Sequence, residues 1–268
     1  MAVSANSYFS DSICGQTNVG ADFDVFDAST TPKYAVGLGF VRADGCQFRY
    51  GHFGEIVGRG ALVSTDVSES GATAIHKAGA LTAALIKSGN SPMNNNAVGS
   101  RYAQLVVTAT ADQFAGAYLT VSSGTGFGFT YHVRGNDATS ATVASNTIME
   151  LYEPIQVALD SNSQITIAGC PYANLESSTT GDCVAVGVSV QNQSAGAYGW
   201  VQTHGIAGVL QDIAIGTIGK PCTVSSNTGG AIAVYNNVQG SNPNYPLVGY
   251  LVEAGSSTQY SLVYLQLE

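Results

Sequence analysis

The stretch Gly196-Ala197-Tyr198-Gly199-Trp200-Val201-Gln202-Thr203-His204-Gly205-Ile206-Ala207-Gly208-Val209-Leu210 holds the only tryptophan of the 268-residue chain. An upstream segment, Tyr50-Gly51-His52-Phe53-Gly54-Glu55-Ile56-Val57-Gly58-Arg59-Gly60-Ala61-Leu62, echoes it. Both read Tyr-Gly-aromatic-apolar and continue through spaced glycines to a leucine. Neither has the residue set of a reaction centre. Each reads as a strand that turns sharply into a second strand, with glycine at the bend. Tyr198, Trp200, Tyr50 and Phe53 are therefore expected to be anchors of a core or an interface.

Outward from these segments, strand signals recur. Tyr34–Val41 and Gln47–Phe53 flank Asp44-Gly45, a hairpin-type turn. Tyr102–Thr110, Tyr118–Ser122 and Gln164–Ala168 are β-rich, and Ile148–Leu159 is demoted to an edge or bent strand by Pro154. Phe127, Phe129, Tyr131 and Val133 share one face at period 2. Further strands are expected at Cys183–Val190, Gly199–Gly205, Ile206–Leu210, Lys220–Val224, Ala231–Tyr235, Leu247–Glu253 and Tyr260–Leu267. Turn residues separate them at the spacing of a sandwich or barrel. The alanine-rich run Ala72–Lys87 is the one candidate helix, weakened by Gly79, and Ala111–Ala115 reads as a short helical turn. The fold class expected is mainly β: β-barrel or β-sandwich modules with long loops and little helix. The organisation expected is an extended arm at 1–32, a β-rich module at 33–150 and a barrel-like module at 151–268. Tyr8, Phe9, Phe23 and Phe26 make the arm a candidate to dock on a neighbouring chain, with an edge strand on the protein's own body as the alternative.

Composition narrows function. Only 10% of residues are charged while 45% are apolar, so the chain folds, yet its surface must rest on Ser, Thr, Asn, Gln and Gly. Such a surface packs against another protein without desolvating many ions. Net charge is −9, and the nine Lys and Arg form no cluster, which argues against nucleic acid and against anionic lipid. No apolar run has the length of a membrane-spanning helix, and Met1–Asn6 lacks the basic start and apolar core of a signal peptide. The five cysteines include no CxxC pair, so buried thiols are expected, with a Cys170–Cys183 disulfide as the alternative.

Candidate chemistry is sparse. His52, His76, His132 and His204 lack metal-ligand spacing. Gly124-Thr125-Gly126-Phe127-Gly128 has neither the helix nor the lysine of a phosphate loop and reads as a hairpin turn. Asp22, Asp24 and Asp27 lack the glycine and distal glutamate of a calcium loop. Neither catalysis nor a cofactor or metal is expected.

A set of segments resembles a block found in tailed-phage head proteins. It comprises Phe114–Val121, Gly124-Thr125-Gly126, Tyr131–Gly135, Glu153–Ser161, Pro171-Tyr172, Val186–Val188, Gly196–Gly205 and Val248–Ala254. Across roughly residues 33–268 the chain is similar to head decoration (capsid cement) proteins of the marine-phage type. The resemblance implies a non-enzymatic virion protein, made in the host cytoplasm and placed on the outer surface of the capsid. It implies binding to the major capsid protein and to itself, as a homo-oligomer and a trimer first. Other readings are a tail or fibre component, or a carbohydrate-binding β module that stacks sugars on Tyr198, Trp200 or Tyr245.

Overall fold

The computed structural model describes residues 24–65, 76–80, 95–107, 109–138, 146–178, 184–212, 218–235, 245–256 and 259–268. Among these, every regular element is a β-strand and none is a helix, as the period-2 patterning predicts. The chain forms two compact units, Met1–Asp66 with Pro171–Glu268, and Val67–Cys170. This differs from a division near 150, because that boundary falls inside a strand that pairs on both sides.

The first unit holds β1 (Gly39–Val41), β2 (Gln47–His52), β3 (Leu62–Thr65), β10 (Leu175–Ser177), β11 (Val184–Ser189), β12 (Tyr198–Leu210), β13 (Pro221–Val224), β14 (Ile232–Val234), β15 (Leu247–Glu253) and β16 (Tyr260–Gln266). They form one ten-stranded sheet in the order β10-β3-β11-β12-β16-β15-β13-β14, with β1 paired to β2 and β2 to β12. Thr65 on β3 is the ladder partner of Leu175 on β10. The chain thus leaves this unit and returns to it on adjacent strands, a geometry that accepts an inserted unit.

β12 organises the sheet. Its 13 residues form one continuous strand, where the sequence suggested two. The first half pairs with β2 and β11, and the second half pairs with β16. A bulge between Gln202 and His204 and a positive φ of 90° at Gly205 redirect the strand without ending it. Gly199 to Thr203 are all buried, whereas beyond Gly205 burial alternates, as in a sheet with one wet face. The core behind this second half contains Leu62, Val188, Val209, Val224, Ile232, Val248, Leu251, Val263 and Leu265.

The second unit holds β4 (His76–Ala80), β5 (Tyr102–Val106), β6 (Tyr118–Ser123), β7 (Thr130–Asn136), β8 (Asn146–Leu151) and β9 (Gln164–Ala168). Every pairing in this six-stranded sheet is antiparallel, in the order β4-β9-β6-β7-β8-β5. The sheet curls until its end strands, β4 and β5, have Cα atoms within 8 Å of each other. The enclosed core contains Leu105, Phe114, Leu119, Val121, Tyr131, Val133, Met149, Leu151, Ile155, Ile165 and Ile167.

Three local expectations are corrected here. Within the alanine run, His76–Ala80 is a strand paired with β9; the other residues of that run lie outside those described. A run containing Gly79 nucleates a helix poorly, and a ladder supplies the backbone hydrogen bonds instead. Residues 111–116 form turns, with positive φ at Asp112 and Gly116. The buried Asn136 clips this segment by accepting from Phe114 N–H (2.8 Å) and donating to the Thr110 carbonyl (2.8 Å). The Gly124–Gly128 segment is a turn between β6 and β7, with positive φ at all three glycines. Phe127 lies in that turn, 74% exposed, so the shared face runs only through Tyr131 and Val133, which are buried.

Candidate functional site

The two echoing segments are ladder partners. In antiparallel register Tyr50 faces Trp200, Gly51 faces Gly199 and His52 faces Tyr198. The like-patterned triplets therefore cross head to tail, aromatic against aromatic and glycine against glycine. Trp200 is 1% exposed and packs on Tyr50 (5.2 Å between ring centroids), Tyr34 (5.6 Å) and Phe40 (6.2 Å). Phe48, Cys46 and Val25 complete this aromatic core. A Cβ on Gly51 would strike the buried Leu175 side chain, and one on Gly199 would strike Gln193. The glycine pair is thus the floor on which those two side chains lie. Phe53 is fully buried, and Tyr198 is half-buried, stacked on Tyr50 and beside His52. Trp200 is closed to any ligand, which removes it as a sugar platform.

The arm resolves in part. Tyr8, Phe9 and Phe23 lie outside the described residues. Val25 enters the aromatic core, Ser29 exchanges two backbone hydrogen bonds with Tyr198 (2.9 and 2.7 Å), and Lys33 pairs with Asp27. Residues 24–33 therefore lie on the chain's own body. Phe26 remains 55% exposed and walls an open groove of about 340 Å³, together with Arg59, Val188, Val190, Gly208 and Tyr260.

The polar groups serve as staples. The Glu268 carboxylate accepts from Arg49 Nε (2.9 Å), Tyr172 OH (2.6 Å) and Thr203 Oγ1 (3.3 Å). Burial raises its pKa, but these three donors together outweigh burial and hold it below the usual glutamate value. His204 contacts the Glu268 carbonyl and Tyr264 OH, so it ties β12 to β16 and to the end of the sheet. Asp212 is buried and accepts from Thr228 Oγ1 (2.7 Å), Asn227 Nδ2 (3.0 Å) and Ser225 Oγ (2.8 Å), which together lower its pKa. Burial alone lowers the pKa of His52. Cys46 and Cys222 are buried free thiols, with Cys222 pushed up to about 11 by burial. Cys170 is buried, and Cys14 and Cys183 lie outside the described residues. Among the described residues no three His, Cys, Asp or Glu side chains gather as a metal would require.

Two exposed features remain, each on a sheet face. In the first unit Ile206, Tyr264 and Tyr250 form one row across β12, β16 and β15, all partly exposed. Leu262, Val252 and Tyr260 extend this apolar face, and Glu253 closes the Leu262 row. In the second unit His132 is sandwiched between Tyr118 (5.0 Å, 21° between planes) and Tyr152 (4.8 Å, 21°). Neither feature is visible as a sequence motif. Their residues lie far apart in the chain and meet only through strand register.

No family model matches the chain, and no curated protein or solved structure matches it.

Proposed function

We propose that this chain is a structural virion protein that decorates and stabilises a phage capsid by binding the major capsid protein and further copies of itself. In this reading it is made in the host cytoplasm, acts on the outer capsid surface and performs no catalysis. The observation that carries the reading is the apolar outer face of β12, β16 and β15. Ile206 is 52% exposed, Tyr250 45%, Leu262 44% and Tyr264 37%. Exposed apolar patches of this kind mark protein interaction surfaces. Interface centres are depleted in charge and enriched in tyrosine, and the Ile206–Tyr264–Tyr250 row has that composition. A shell that repeats such a contact many times multiplies a modest affinity.

The test is co-sedimentation with purified phage heads from which accessory proteins have been removed, alongside light scattering of the free protein. The wild type is expected to be a homo-oligomer, trimeric first, and to saturate the heads. Leu262→Glu with Tyr250→Glu is expected to weaken binding at least tenfold, because two charges would be desolvated at the contact. A monomeric wild type with no affinity for heads refutes the proposal.

A further inference from the structure

We propose that the outer face of β6 and β9 carries a carbohydrate-binding slot, in which one pyranose ring of an uncharged glycan stacks on Tyr118 above Ala168. The reasoning starts from register. Ala168, Tyr118 and His132 are successive ladder partners on β9, β6 and β7, so they stand in one row on one face. Tyr152 extends the row, its N–H donating to the His132 carbonyl (2.9 Å). Adjacent strands lie about 4.8 Å apart. The ring separations of 5.0 and 4.8 Å match that spacing, so the rings stand face to face at one per strand. At the next strand the row meets Ala168, whose side chain is a single methyl. One face of Tyr118 is covered by His132, yet the residue is still 44% exposed. The stack is therefore interrupted over a floor of Ala168, and the row resumes beyond it with His76 on β4.

The surroundings select the occupant. In the next row Thr166, Thr120 and Thr130 are ladder partners, and the Thr120 and Thr130 hydroxyls lie 3.1 Å apart. A ring seated over Ala168 thus has an aromatic face beside it and hydroxyls along one edge. A pyranose offers the complement, an apolar C–H face and a hydroxyl rim. A phosphorylated ring is disfavoured: Arg134 is already paired with Glu150 (3.0 Å), and the chain carries a net charge of −9. An apolar protein side chain would leave the spare donor and acceptor positions of the mutually bonded Thr120 and Thr130 hydroxyls unused.

This slot is independent of the capsid reading, since it lies on the other unit from the face argued to meet the shell. It is tested by calorimetric titration of the full chain with maltohexaose, cellohexaose and N-acetylchitohexaose. At least one is expected to bind in the millimolar range or tighter. Removing the ring with Tyr118→Ala should weaken that binding by about tenfold, the upper end of one stacking contact. Ala168→Tyr should abolish it by filling the slot, and covers the case in which Tyr118→Ala fails to fold. Tyr264→Ala, on the first unit, should leave it unchanged. Absence of binding by all three oligosaccharides, binding that survives both Tyr118→Ala and Ala168→Tyr, or displacement by N-acetyltyrosinamide at equal concentration would each overturn the proposal. Head co-sedimentation should be indifferent to Tyr118→Ala, so the two readings can fail separately.

Discussion

Replacing Trp200 with alanine is the most direct probe of the crossing between the two echoing segments. The indole is 1% exposed and contacts three aromatic rings, with Tyr50 and Phe40 themselves 2% and 4% exposed. Aromatic pairs add about 0.5–1.5 kcal/mol each beyond area burial. Loss of a buried Trp to Ala costs about 3–5 kcal/mol. The upper half of that range is expected, because the ladder β1-β2-β12 holds the surrounding rings apart and prevents collapse into the cavity. A domain's whole stability is about 5–15 kcal/mol, so the first unit should be left marginal. Guanidinium unfolding followed by near-ultraviolet circular dichroism reports this loss, since the variant retains its tyrosines but no tryptophan. In the wild type, the single indole should emit at short wavelength and resist acrylamide. A loss below about 1 kcal/mol, or ready quenching of the wild type, would refute the account of Trp200 as the core of the crossing.

Gly205→Ala should destabilise by about 1–3 kcal/mol, because the residue has φ of 90° and its Cβ would lie 2.8 Å from Cys46 Sγ. Gly208→Ala, whose Cβ points into open space, should change the melting temperature little and serves as the control. Glu268 has its carboxyl pKa below the ordinary 4.5, so the stability it contributes is present above that value and is lost as pH falls through the folded pKa. Glu268→Gln should therefore lower stability at neutral pH and flatten the acid limb, measured by melting from pH 7 to 3. An unchanged acid limb would show that the Arg49, Tyr172 and Thr203 contacts do not couple to folding.

Much of the architecture was legible because strand formation leaves a local trace. Gln164–Ala168 and Leu247–Glu253 were bounded by alternation and turn residues, and the structure places strands over those residues. β3 and β10 left no such trace. Leu62–Thr65 is buried on both faces and does not alternate, and Leu175–Ser177 is three residues long. In the sequence β12 reads as two strands because glycine signals a bend, but a bulge with Gly205 bends a strand without breaking its ladder. A boundary near 150, in front of Leu151-Tyr152-Glu153-Pro154, differs from the observed units because a compact unit is set by pairing. β8 is held between β5 and β7, and β9 between β4 and β6.

The candidate surfaces were the least legible part. That Trp200 and Tyr50 are anchors follows from residue type, since large aromatics beside glycines seek burial. That Gly51 is the ladder partner of Gly199 does not follow from residue type, although the two segments echo each other. Likewise, nothing local joins Tyr118 to Ala168 or Ile206 to Tyr250. The amino-acid sequence alone determined the all-β character, most strand positions, the charge-poor surface and the aromatic anchors. Each of these follows from side-chain type and from a periodicity of two. Only the tertiary structure decided which strands are neighbours, where the chain divides and which side chains share a row. Register is a long-range choice: slipping a strand by one residue exchanges its two faces while leaving every local signal unchanged.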